Sequence, residues 1–114
     1  MTKATNARQA KAAIDKAAID IETQRLDIWL FRTRLLKTRA LAARMIRTGR
    51  VRMTRNGKSE RILKPHAKVR SGDIITFMRE KNLVYIEVLS NPHRRGPSPE
   101  ARSHYQSCEI LTQL

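Results

Sequence analysis

Apolar positions in RLDIWLFRTRLL, residues 25–36, recur at helical spacing. Leu26, Trp29, Leu30 and Leu36 share one face of a helix, and Ile28, Phe31 and Leu35 share a second. Two apolar stripes predict a helix held between partners rather than one lying on a surface. Thr38 then offers a hydroxyl N-cap to a second helix, TRALAARMIRTG, which Gly49 closes. Leu41, Ala42, Met45 and Ile46 fall on one side of it, and Arg39, Arg44 and Arg47, spaced by alanines, on the other. After Gly49 the period drops to two. Val51 and Met53 alternate with Arg50 and Arg52, which predicts a short strand with a basic outer side. Asn56-Gly57 predicts a tight hairpin turn, and Lys64-Pro65 ends the strand that follows. Ser71-Gly72-Asp73 predicts a turn into two further strands, IITFM at 74–78 and NLVYIEVL at 82–89. Ser98-Pro99-Glu100 reads as a helix start, with Ser as cap and Pro at the first position. Together these elements predict an α+β fold: two N-terminal helices packed on a short, twisted, mostly antiparallel sheet, plus a C-terminal helix.

The organisation expected is a tail over residues 1–24, disordered or helical, a domain over 25–90, and a C-terminal loop and helix over 91–114. Charge follows this division. Residues 1–24 hold 4 basic and 3 acidic side chains, residues 25–70 hold 15 and 2, and residues 71–114 hold 5 and 5. The net charge of +14 is therefore carried almost wholly by the middle block. Within it, residues 32–52 contain eight Arg or Lys and no acid. Solvated helix faces usually mix signs, so a face of arginine alone points outward to a polyanion.

Nothing in the chain resembles a membrane span or a secretory signal. Cys108 is the single cysteine, so no internal disulfide forms and a reducing cytoplasm is the expected compartment. His104 and Cys108 would share a face at helical spacing, yet two ligands make no metal site. No nucleophile and base pattern is legible, and no cofactor is implied, so the chain reads as non-enzymatic. Trp29, Phe31, Phe77 and Tyr85 sit in patterns that predict core, which leaves phosphate and shape recognition of structured RNA ahead of base stacking.

RLDIWL, KTRALAARMIRTGRVRM, NG and VRSGDII, taken in order, resemble the S4-like RNA-binding domain. That family's pattern runs Arg-Leu-Asp, a Ser-Arg helix start, an Ile-x-x-Gly-x-Val exit, Asn-Gly and a Val-x-x-Gly-Asp turn. Arg25-Leu26-Asp27, Arg39, Ile46, Gly49, Val51, Asn56-Gly57, Val69 and Gly72-Asp73 fall on those features. HRRGPSPEARSHY, residues 93–105, is similar to the tail of the ribosome-associated heat-shock protein 15 family. The resemblance implies binding to the large ribosomal subunit, particularly one carrying a stalled nascent chain, and a role in recycling it. Thr38 stands where that family usually has Ser, and Ile28 where Lys is common. The segment around Asn56-Gly57 is longer than usual, which leaves open how Arg52, Arg55 and Lys58 register on RNA.

The residues expected to meet RNA are Arg25, Arg32, Arg34, Lys37, Thr38, Arg39, Arg44, Arg47, Arg50, Arg52 and Lys58. Arg39, Arg44 and Arg47 lead because they share one face and a guanidinium fork matches phosphate oxygens. Asp27 reads as an internal ion-pair partner. The expected partner is structured RNA, foremost ribosomal RNA of the large subunit, met by a monomer and with no membrane involved. A DNA-binding, helix-turn-helix-like protein is the alternative. Against it, the ridge has no Asn, Gln or Ser to read base edges, which leaves only non-specific DNA contact.

Overall fold

Val51 and Met53 turn inward from strand β2 (Val51–Arg55), which pairs antiparallel with β3 (Lys58–Ile62) through a two-residue turn. Asn56 and Gly57 both take left-handed backbone there, φ 54° and 78°, as a hairpin turn of matching twist requires. The computed structural model describes residues 22–108, so most of the expected tail lies outside the described residues. Strands β5 (Ile74–Arg79) and β6 (Asn82–Val88) follow the Gly72 turn. They extend the sheet to the order β3-β2-β5-β6-β7, where β7 is Tyr105–Ser107. A separate two-stranded ladder joins β1 (Gln24–Arg25) to β4 (Lys68–Val69). All the pairings are antiparallel.

Helices α1 (Leu26–Arg32) and α2 (Arg39–Arg47) pack on each other. Their buried Leu26, Trp29, Leu30, Ala42 and Ile46 share one core with Val51, Met53, Ile75, Phe77, Val84, Ile86 and Val88 from the inner face of the sheet. A third helix, α3 (Ser98–Arg102), precedes β7. The α+β architecture expected from the patterning is thus the one found.

Three local expectations are corrected. Helix α1 stops at Arg32 instead of running to Leu36. Thr33 Oγ1 donates back to the Trp29 carbonyl at 2.8 Å, and Arg34 turns left-handed at φ 64°. Leu35 and Leu36 therefore reach the core from a turn, and the helical wheel placed them correctly for the wrong reason. The C-terminal helix begins at Ser98 with Pro97 at the cap position, so Ser98 does not cap it. Residues after Arg102 leave the helix for β7, so His104 and Cys108 lack helical spacing, and His104 Nδ1 lies 2.7 Å from Ser90 Oγ.

The second apolar stripe of α1 needs a cover. The loop ahead of α3 supplies it. The Arg95 guanidinium sits 4.5 Å from the Phe31 ring centre and donates to the carbonyls of Phe31 and Leu36. The Phe31 carbonyl lies in the last turn of α1 and also accepts from the Arg34 N–H at 3.1 Å, and the Leu36 carbonyl lies in the turn beyond it. Burial, and then the charge of Arg34, push the Arg95 guanidinium below its ordinary range. Gly96 is buried beneath Glu100, whose carboxyl carbon would lie 2.6 Å from any Cβ added there. Glu100 in turn holds Arg94 at 2.7 Å. The Tyr105 ring meets Trp29 edge-on, centres 6.3 Å apart, while Trp29 Nε1 donates to the Ser90 carbonyl.

Asp73 is the most deeply enclosed carboxylate among the described residues, 1% exposed. Arg55 grips it with two bonds, 2.8 and 2.7 Å, and the Arg70 N–H adds a third. That grip raises the Arg55 pKa above its ordinary value, chiefly through the hydrogen bond to Asp73. Arg55→Met leaves the buried carboxylate short of donors and should cost about 1–3 kcal/mol. A urea melt of this variant with an unchanged midpoint would show that Arg70 and water suffice.

Candidate nucleic-acid interface

The Thr38 side chain accepts from the Leu41 N–H at 2.9 Å, so α2 begins with a true hydroxyl cap. It closes on a Schellman motif in which the N–H of Gly49 reaches the Ile46 carbonyl and that of Arg50 reaches Met45, both at 3.0 Å. Gly49 adopts φ 80°, which a side chain would resist. Between these ends Ala42 and Ile46 are buried, and Leu41 and Met45 are half-buried. Arg39, Arg44 and Arg47 are exposed on the far side. Arg44 and Arg47 suit the negative end of the helix dipole. Arg39 sits at the positive end, with no acid in the first turn to offset it. A folding chain gains nothing from that placement, whereas an external phosphate would gain both the guanidinium and the free N–H groups of the first turn.

The hairpin continues the charge. Arg52 projects outward between buried Val51 and Met53. Directly across the ladder stands Arg61, also exposed. Like charges in that relation destabilise a hairpin. Arg61 escaped the sequence reading, although counting residues back from the Asn56-Gly57 turn would have paired it with Arg52. Its side chain lies over Gly49, where a Cβ would stand 3.0 Å from Arg61 Cδ. Gly49 thus frees both the helix exit and the path by which Arg61 reaches α2. Lys58 is exposed at the start of β3, and Arg50 and Lys37 are exposed at the ends of the loops that flank α2.

The expected contact residues separate into two groups. Arg25 is bonded to buried Asp27 at 3.1 and 2.8 Å, which is the ion pair expected for Asp27. Arg32 donates to the Pro92 carbonyl at 3.0 Å and Arg34 to the Gly96 carbonyl at 2.6 Å. These three guanidinium groups fasten the chain to itself. Lys37, Arg39, Arg44, Arg47, Arg50, Arg52 and Lys58 have no side-chain bond or ion pair among the described residues, and Arg61 shares that state. Thr38 is occupied as a cap. The unspent cations run along α2 and out onto the hairpin, a surface suited to a phosphate backbone.

Other chemistries find less to work with. Among the described residues no group of three or more His, Cys, Asp or Glu could hold a metal ion. None of the described helices is long and apolar enough to cross a membrane.

The S4 domain family matches residues 24–75, which span β1 through the start of β5. A solved structure of heat shock protein 15 from Vibrio cholerae, described as trimeric, superposes with a TM-score of 0.66 at 33% identity. The match covers 76% of this chain and 83% of that one. No curated protein matches the chain. The ordered S4 motif, the α2–hairpin geometry that it builds and the identity to this relative over most of both chains agree, and the chain belongs to the S4-domain heat shock protein 15 family.

Proposed function

We propose that this protein binds ribosomal RNA on the large ribosomal subunit, in the cytoplasm and without catalysis. In this reading it serves the rescue or recycling of subunits left with a stalled nascent chain under stress. The S4 domain supports RNA as the partner class. The observation that carries the reading is the acid-free ridge Arg39, Arg44, Arg47, continued by Arg50 and Arg52, in which no cation has an internal partner among the described residues. Structured RNA presents phosphates on a fixed shape while its deep major groove hides base edges, so guanidinium groups on a rigid helix fit it well. One chain is enough to build this ridge, so a monomer is the acting unit.

Co-sedimentation tests the partner. The protein should travel with large subunits at moderate salt and release them as salt rises. Equal recovery on large subunits, small subunits and duplex DNA would reduce the reading to that of a general polycation. Sedimentation velocity of the free protein at micromolar concentration checks the monomer against the trimer described for the Vibrio cholerae relative.

A further inference from the structure

The sheet has a second face. Val84, Ile86 and Val88 point into the core, so Tyr85 between them points out and is part-exposed, against the core position expected for it. Ladder register aligns it with three other outward residues in one row across four strands: Arg61 on β3, Arg52 on β2, Thr76 on β5 and Tyr85 on β6. Alongside, Met78 and Leu83 form a cross-strand pair and are 51% and 47% exposed. Glu87, two positions along β6, is bonded by Gln106 Nε2 at 3.0 Å.

We infer that this outer face is a platform for unpaired RNA nucleotides, with a base stacked on Tyr85 beside Met78 and Leu83 and its flanking phosphate held by Arg52 and Arg61. The inference rests on the RNA reading above and adds a second surface to it. Charge decides the occupant. A second copy docked face to face would bring its own Arg52 and Arg61 towards this pair, whereas a polyanion relieves the repulsion already built into the hairpin. Reach fits as well. Arg52 and Tyr85 are two strands apart, about 10 Å, so one nucleotide can touch both. The row is also continuous with the ridge, because Arg61 lies over Gly49 where α2 ends. Structured RNA on α2 could therefore hand a single-stranded extension directly to the sheet. Aromatic platforms with a basic edge bind such strands with little sequence preference.

The test compares a blunt RNA hairpin with the same hairpin carrying a short single-stranded extension. Parent protein should bind the extended RNA more tightly. Tyr85→Thr, which keeps a strand-forming residue, should lose that gain, about five-fold or more, and bind the blunt hairpin as before. Tyr85→Phe should retain it. Arg52→Gln, an exposed change independent of the ring, should lower the salt slope on the extended RNA by roughly 0.7. Melting curves confirm that each variant folds. The inference is overturned if the extension adds nothing for the parent, or if Tyr85→Thr binds the extended RNA like the parent. Self-association of the parent that Leu83→Lys abolishes would overturn it in favour of a second copy. A parent that binds neither RNA would sink the functional reading itself, a result distinct from the loss of the extension effect alone.

Discussion

Removing residues 91–114 should collapse the melting temperature by more than about 10 °C, not merely weaken binding. The truncation strips Arg95 from the carbonyls of Phe31 and Leu36, which it ties together across the turn after α1. Hydrogen bonds from a charged donor are worth about 1.5–3 kcal/mol. It also removes the cation over Phe31 and the Tyr105 edge from Trp29, each worth roughly 0.5–2 kcal/mol. The lost Pro92 carbonyl frees Gln24 and Arg32, and the sheet loses β7. The sum is on the order of 4–10 kcal/mol, and a domain of this size shifts by roughly 4–8 °C for each. Differential scanning calorimetry decides the point. An unchanged transition would mean that the Arg-Arg-Gly-Pro segment acts outside the domain. Arg95→Ala should reproduce part of the loss, and Arg95→Lys should restore only part of it, since an ammonium lacks the planar guanidinium that lies over the Phe31 ring.

Replacing Arg39, Arg44 and Arg47 together by Gln should do the opposite, cutting affinity for RNA while sparing the fold. All three are exposed and carry no bond among the described residues. Surface changes of this kind move stability by within about 0.5 kcal/mol each, and relief of repulsion works in the variant's favour. Each phosphate contact released lowers the logarithmic salt slope by roughly 0.7–0.9, so the triple variant should lose about two to three units. Ile46→Asp gives the mirror result. Ile46 is fully buried on the other side of the same helix, and a carboxylate there should unfold the domain. Salt titrations of RNA binding beside circular dichroism melts separate the two effects. A parental salt slope in the triple variant would mark the ridge as a solvated face.

Helix α2 and the β2–β3 hairpin were open to reading because their causes are local. A hydroxyl cap, a closing glycine, a 3.6-residue period and an Asn-Gly turn each act within a few residues. The sorting of the basic residues was not, because it depends on partners far along the chain. Arg32 and Arg34 are engaged by Pro92 and Gly96, 60 and 62 residues away. Composition sees a charge and cannot see a carbonyl that folding will bring to it. The short strands were hidden for a related reason. Two residues at β1 and β4 and three at β7 are too few to display a period, and they pair only because the core has already brought them together.

By itself, then, the sequence determined the class of fold, the amphipathic helix and its arginine ridge, and the turns that make the sheet antiparallel. Short-range stereochemistry and hydrophobic periodicity dictate all of these. It also carried the ordered S4 motif on which family membership rests. The tertiary structure alone decided where α1 ends, that the loop ahead of α3 closes over it, and which arginines remain free among the described residues. It also turned Tyr85 to the outer face, beside Arg52 and Arg61. Strand alternation settles which residues share a face, but only the packed helices settle which face becomes the core. Whether a cation is spent inside or left for a ligand is fixed last, by contacts that exist only once the chain has closed on itself.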